Sequence, residues 1–166
     1  MEALAASVQE IAIFVTIPYH VRSSEQLLER YAPSRRVTLH AHPAAAKRLR
    51  RRERLADITR PVPLPAEAVA FRIGKPVRFE TPVYFPHHRA LAFGDAVVGV
   101  DGELRVWASI SDPKRARWYE ERFLPTLEPL ADLDTESVLV THGLPVLDDG
   151  RRHLEAAFAN PPWHYG

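Results

Sequence analysis

Two short phrases carry residues that could bind a metal ion: Phe93-Gly94-Asp95-Ala96 and, further along, Val138-Leu139-Val140-Thr141-His142-Gly143. Each places one donor, a carboxylate or an imidazole, on the loop leaving an apolar, β-branched run, which is where layered α/β proteins gather their chemistry. These donor types suit a divalent ion that activates water, so the two phrases point to a hydrolytic metal site. The stretch Thr16-Ile17-Pro18-Tyr19-His20-Val21-Arg22-Ser23 has the same layout and offers His20 as a further donor.

The elements that must position these residues alternate along the chain. Residues 3 to 10 can form a short helix, and Ile11 to Ile17 reads as a buried strand. Pro18 ends that strand, because its ring cannot donate to a ladder and holds Ile17 extended. Ser23-Ser24-Glu25-Gln26 offers caps to a helix whose stripe is Leu27, Leu28 and Tyr31. A strand over 36–41, a second helix from Pro43 to about Leu55, and a proline-rich connection over 57–65 follow. The middle is rich in short strands, at 68–73, 78–85, 90–93, 96–100 and 103–108, with Asp101-Gly102 as a hairpin turn between the last two. Asp112 caps a helix with Pro113 in its first turn, and Trp118, Phe123 and Leu127 continue the buried side despite Pro125. A strand over 137–141 and a helix over 150–159 precede the tail Pro161-Pro162-Trp163-His164-Tyr165.

Composition narrows the classes of function. A chain of 166 residues fits one domain that buries roughly two thirds of its unfolded surface. With no cysteine there is no thiolate zinc site, no thiol nucleophile and no redox pair, and a reducing compartment fits. The longest apolar run, Ile11 to Tyr19, is far below the roughly 20 residues of a membrane span, and no signal sequence opens the chain. A soluble, cytoplasmic protein without a membrane partner is expected. The net charge of +1 argues against a phosphate-tracking surface.

At the three ligand-bearing phrases the sequence resembles the metallo-β-lactamase-fold hydrolase superfamily. The resemblance implies an α/β (α+β) protein, a partial or complete αββα sandwich with a metal cleft at one edge. It spans residues 1–166 as one domain that lacks the usual N-terminal strands. The family's first motif, His-x-His-x-Asp-His, reads here as Pro18, His20, Arg22 and Ser23, so His20 alone matches. Its next ligand, a histidine in Gly-His-Thr-Pro-Gly, is replaced by Glu80 in Phe79-Glu80-Thr81-Pro82. Asp95 and His142 match the remaining two.

The resemblance therefore implies a metal set of His20, Glu80, Asp95 and His142, with Asp95 and His142 central to catalysis. That set suits a single Zn, Mn or Fe ion, and activity on a small ester, thioester, lactone or phosphoester. The competing reading binds no metal: Arg22, a fixed cation where the family has a ligand, pairs with Asp95 or Glu80 in a non-catalytic binding or assembly module. In either case the absent strands leave an apolar sheet face whose obvious cover is a second copy, so a homo-oligomer is expected.

Other residues point to packing. His40 and His42 share a strand face, but a strand-end histidine beside Pro43 is more often structural. His87 and His88 read as a solvated turn. The basic run Lys47 to Arg54 reads as a solvated helical face without aromatic residues for base stacking, so no specific nucleic acid is expected. Ser23 and Ser24 are helix caps rather than nucleophiles.

Overall fold

A computed structural model describes residues 7–75 and 78–164. The helix expected over 3–10 falls mostly outside them, and Glu10 already opens a strand. That strand, β1 (Glu10–Val15), leads through the His20 loop into α1 (Ser24–Tyr31) and back into β2 (Arg36–Ala41), which lies parallel to β1 with Ile13 opposite Leu39. β3 (Leu55–Asp57) adds a third parallel strand on the far side of β2, so among the described residues β1 and β3 are the two edges. Strand alternation sorts the faces. Odd-numbered Val15, Leu39 and Ala41 pack with Val21 and Leu28 in one apolar cluster under α1. Even-numbered Phe14 and His40 stack on one another on the opposite face, ring centroids 5.2 Å apart.

The helix expected from Pro43 to Leu55 does not form as one piece. A 3-10 turn over Pro43–Arg48 and another over Arg52–Arg54 are separated by a turn at Arg50 and Arg51. Glu25 of α1 accepts hydrogen bonds from the amides of both, at 2.7 and 2.8 Å, drawing the chain out of helical geometry. A continuous helix would also have set Arg48 against Arg52 and Arg50 against Arg54, like charges four residues apart.

The second sheet begins with β4 (Val69–Ala70), β5 (Val83–Phe85) and β6 (Ala90–Ala92). The chain then makes a separate hairpin of β7 (Val97–Val100) and β8 (Glu103–Val106), turning at Asp101 and Gly102 with φ of 50° and 85°. α2 (Pro113–Trp118) follows, capped by Asp112, whose carboxylate accepts the Arg115 amide at 3.0 Å. A π-turn over Tyr119–Phe123 joins it to α3 (Leu124–Ala131). The widened turn lets Pro125 fall in the first turn of α3, where its missing N–H goes unneeded. β9 (Ser137–Leu139) pairs parallel with β6 to give the order β4-β5-β6-β9, and α4 (Gly150–Ala159) completes the described elements. The strands are shorter than the apolar runs that contain them, because loop contacts take over the ends.

Tyr84, Leu91 and Val138 face α3 and α4 in the largest apolar cluster, with Phe123, Leu127, Leu130, Leu154 and Ala157. Val83 and Phe85 point the other way and meet the first sheet, where Phe85 and Phe14 pack edge to face at 5.5 Å. The layers run helix, sheet, sheet, helix, the αββα order. No helix among the described residues is long and apolar enough to cross a membrane.

Candidate metal centre

Three loops at one edge of the layers carry the donors. The first leaves β1: Ile17 and Pro18 are buried, and the His20 amide turns back to the Ile17 carbonyl at 3.1 Å, presenting an exposed imidazole. Thr81 ties this loop to the second sheet, its amide donating to the Thr16 carbonyl at 2.7 Å.

The second loop leaves β6. Phe93 is buried and bonded through its amide to the Leu139 carbonyl, and Gly94 lies so close to the first loop that a Cβ there would meet Ile17 Cβ at 2.8 Å. The side chain beneath this loop is Glu80. Its Oε1 accepts from the Gly94 and Ala96 amides at 2.8 and 3.1 Å, tying down the residues on either side of Asp95.

The third loop leaves β9. The Thr141 hydroxyl donates to the Gly94 carbonyl at 2.6 Å and lies 3.2 Å from Asp95 Oδ1. The Gly99 amide of β7 donates to the His142 carbonyl at 2.8 Å. Gly143, at φ +80°, is the residue this approach requires: a Cβ there would lie 1.9 Å from the Gly99 carbonyl oxygen.

The three loops bring His20, Asp95 and His142 together. His20 Nε2 lies 3.4 Å and His142 Nε2 3.3 Å from Asp95 Oδ1, and one donor atom from each residue falls within 4.8 Å of the other two. Two imidazole nitrogens and a carboxylate oxygen suit zinc, iron or manganese with positions left open. Both histidines are exposed and Asp95 is half-buried, so the donors face solvent and a ligand can reach them. Among the described residues this is a single group of three, which fits one ion.

Glu80 does not join them. Its carboxylate is fully buried behind the Asp95 loop, with Oε1 occupied by the two amides and Oε2 3.9 Å from Arg78 Nη1. The reason is where the chain runs: bonding of Thr81 to Thr16 sets residues 78–82 beneath the loop rather than at its rim. Burial pushes the Glu80 carboxyl up to about 7, against the lowering effect of the Ala96 amide, Arg78 and the Gly94 amide.

The pairing expected of Arg22 is also absent. Arg22 is exposed and makes no ion pair among the described residues, while Arg78 is the cation beside Glu80. Arg78 is nearly buried, its guanidinium over the rings of Trp107 at 4.7 Å and Phe123 at 4.8 Å, and burial lowers its pKa. Sequence reading left out Arg78, Thr141 and Gly99; a Thr-His-Gly phrase after a strand gave a cue for the second, but nothing local marks the first.

His40, His42 and His87 lie apart from the donor group. His40 stacks on Phe14 and bonds Thr38 Oγ1 at 3.0 Å, with its pKa lowered by burial. His42 Nδ1 accepts the Ala44 amide as the cap of its 3-10 turn. His87 pairs with Glu67 at 3.1 Å on the surface.

No protein-family model and no curated protein sequence matches the chain. Solved structures do. A protein from Nostoc sp. PCC 7120 described as a diflavin flavoprotein (fragment 1-254) superposes with a TM-score of 0.60 at 19% identity, over 95% of this chain and 70% of that one. An archaeal metallo-β-lactamase superfamily protein from Sulfolobus tokodaii gives 0.56 at 12% identity, over 92% and 68%. The chemotaxis sensor ODP, in a peroxy diiron species, gives 0.56 at 14% identity, over 90% and 70%. The shared layers, and a donor group on loops at one edge of them, make this chain a divergent protein of the metallo-β-lactamase fold.

Proposed function

We propose that the chain is a metal-dependent hydrolase of a small ester, thioester, lactone or phosphoester that works with one Zn, Mn or Fe ion. The convergence of His20, Asp95 and His142 on a point open to solvent carries this reading. Such an ion, when bound, supplies Lewis acidity toward a carbonyl or phosphoryl oxygen and toward water. The chain's own part is to fix the donors. Glu80 pins the residues on both sides of Asp95 through their amides, Thr141 flanks the carboxylate oxygen that both histidines approach, and Gly99 holds the His142 backbone. Rigid donors of this kind keep geometry for one ion without rearrangement.

The competing reading, an ion-paired remnant in a binding module, needs Arg22 against Asp95 or Glu80. Arg22 is exposed and unpaired among the described residues, which favours the metal reading. Zero cysteines fit a reducing compartment, and the proposal places the enzyme in the cytoplasm.

The test is cobalt(II) titration of untagged protein, followed by visible absorption, with p-nitrophenyl acetate hydrolysis measured alongside. One equivalent per chain and metal-dependent turnover are expected, with cobalt affinity about a hundredfold lower and turnover lost in Asp95→Asn. No uptake at micromolar metal, or two tightly held ions, would remove the proposal.

A further inference from the structure

Beside the metal centre lies a cavity of about 740 Å³ that shares Asp95 with it. Its walls include three large aromatic side chains, Tyr19, Trp107 and Trp118, and three cations, Arg78, Lys114 and Arg115. A smaller cleft of about 100 Å³, lined by Asp95, Val98, Trp107 and His142, shares both Asp95 and Trp107 with it. The space therefore runs alongside the donor group, where the part of a substrate that does not react would lie.

The lining has a definite chemistry. Three aromatic side chains in the lining suit a flat or chain-like apolar body. Trp118 is held by stacking on Phe123, with centroids 5.2 Å apart, and Trp107 is held by the Arg78 guanidinium over its ring, so the walls are set before any ligand arrives. The Arg78 Nη2 donates to the Trp107 carbonyl at 2.9 Å. Its Nη1, 3.9 Å from Glu80 Oε2, and the indole Nε1 of Trp118 are buried donors with no hydrogen-bond acceptor among the described residues.

Charge points the same way. Asp112 is committed to capping α2 and lies 3.9 Å from Arg115 Nε, and Asp95 belongs to the metal group. Lys114 adds an exposed ammonium on the first turn of α2. The balance of the lining is cationic, and planar guanidinium groups match the oxygens of carboxylate and phosphate.

We infer that this cavity binds the non-reacting end of the substrate, an apolar, preferably aromatic, body that terminates in a carboxylate or phosphate. The inference rests on the hydrolase reading for its link to catalysis, but the pocket is testable without metal. Trp107 and Trp118 report on it directly through their fluorescence.

The experiment titrates chelator-treated full-length protein with 3-phenylpropanoate, phenyl phosphate and the uncharged 3-phenylpropanol. At least one anion is expected to quench tryptophan emission with an affinity about tenfold above the alcohol, and the stronger of the two names the end group. The double variant Lys114→Ala with Arg115→Ala, at exposed positions that leave the core intact, should lose most of that preference while its circular dichroism is unchanged. Neither anion binding more tightly than the alcohol, no quenching by any of the three, or full selectivity in the double variant would each overturn the inference. Cobalt uptake by the same preparation separates the two claims: anion selectivity without cobalt binding sinks only the hydrolase reading, and cobalt binding without anion selectivity sinks only the pocket.

Discussion

The Glu80 carboxylate accepts the Gly94 amide at 2.8 Å from beneath the Asp95 loop, and it does so while fully buried. Burial raises its pKa from 4.5 to about 7, so the folded protein binds this proton more tightly than the unfolded chain does. The stabilising contribution is complete below about pH 4.5 and is lost as the pH rises through about 7, at most about 3 kcal/mol in total. Two effects compete at pH 8: the cost of burying the carboxylate, and its attraction to Arg78 at 3.9 Å. Because the pKa is raised, burial outweighs the attraction.

Glu80→Gln should accordingly flatten the fall in urea-unfolding stability between pH 4.5 and 7, and should equal or exceed the wild type at pH 8. Gln Oε1 can still accept both amides. A variant that is markedly less stable than wild type at pH 8 would show that the ion pair with Arg78 dominates instead.

Gly94 touches the first loop with no room for a side chain, since a Cβ would meet Ile17 Cβ at 2.8 Å. Gly94→Ala should cost about 1 to 3 kcal/mol of stability by overpacking. It should also weaken cobalt binding about tenfold or more, because it separates the loops that carry His20 and Asp95. Melting temperature and cobalt affinity measured on one preparation check both effects. An unchanged affinity would mean that the loops shift together.

What was legible in the sequence is what depends on neighbours in the chain. Asp112-Pro113 marked the start of α2, Asp101-Gly102 the β7–β8 turn, and residues 150–159 the last helix, because each is set by capping, turn or periodicity over a few residues. His20, Asp95 and His142 were legible as donors on strand-exit loops, and the structure brings them together. Glu80 was misplaced because its direction depends on contacts between Thr81 and Thr16, 65 residues apart. The same holds for Arg78, whose partners Trp107 and Phe123 are set by tertiary packing. The 43–55 stretch looked helical by composition, and the Glu25 carboxylate from another element overrode it.

Among the described residues β1 is an edge strand, and beside it runs a groove of about 930 Å³ whose lining includes Ala12, Phe14, Leu64, Phe85 and Leu139. An unpaired edge next to an apolar groove is a template for another strand, and a second copy supplies one. Light scattering across micromolar concentrations should report a dimer, and Ala12→Arg should shift it toward monomer. A monomer at every concentration would show that the groove is closed by other means.

Asp95 distinguishes a metal ligand from half of an ion pair. Its carboxylate is approached by two imidazoles and by the Thr141 hydroxyl, while Arg22 stands exposed and unpaired among the described residues. Asp95→Asn keeps the shape, and the largely buried Arg78, which feels the Asp95 charge, still has Glu80 at 3.9 Å, so stability should stay within about 1 kcal/mol of wild type. Cobalt affinity should fall about a hundredfold, as removal of one of three donors requires at least the effect of disturbing an outer contact. Arg22→Gln should change neither quantity, and in combination with Asp95→Asn the effects should add, because no hydrogen bond or ion pair joins the two side chains among the described residues. If the double variant instead recovered stability lost in Asp95→Asn, then Arg22 and Asp95 would be coupled, and the carboxylate would serve charge neutralisation rather than a metal ion.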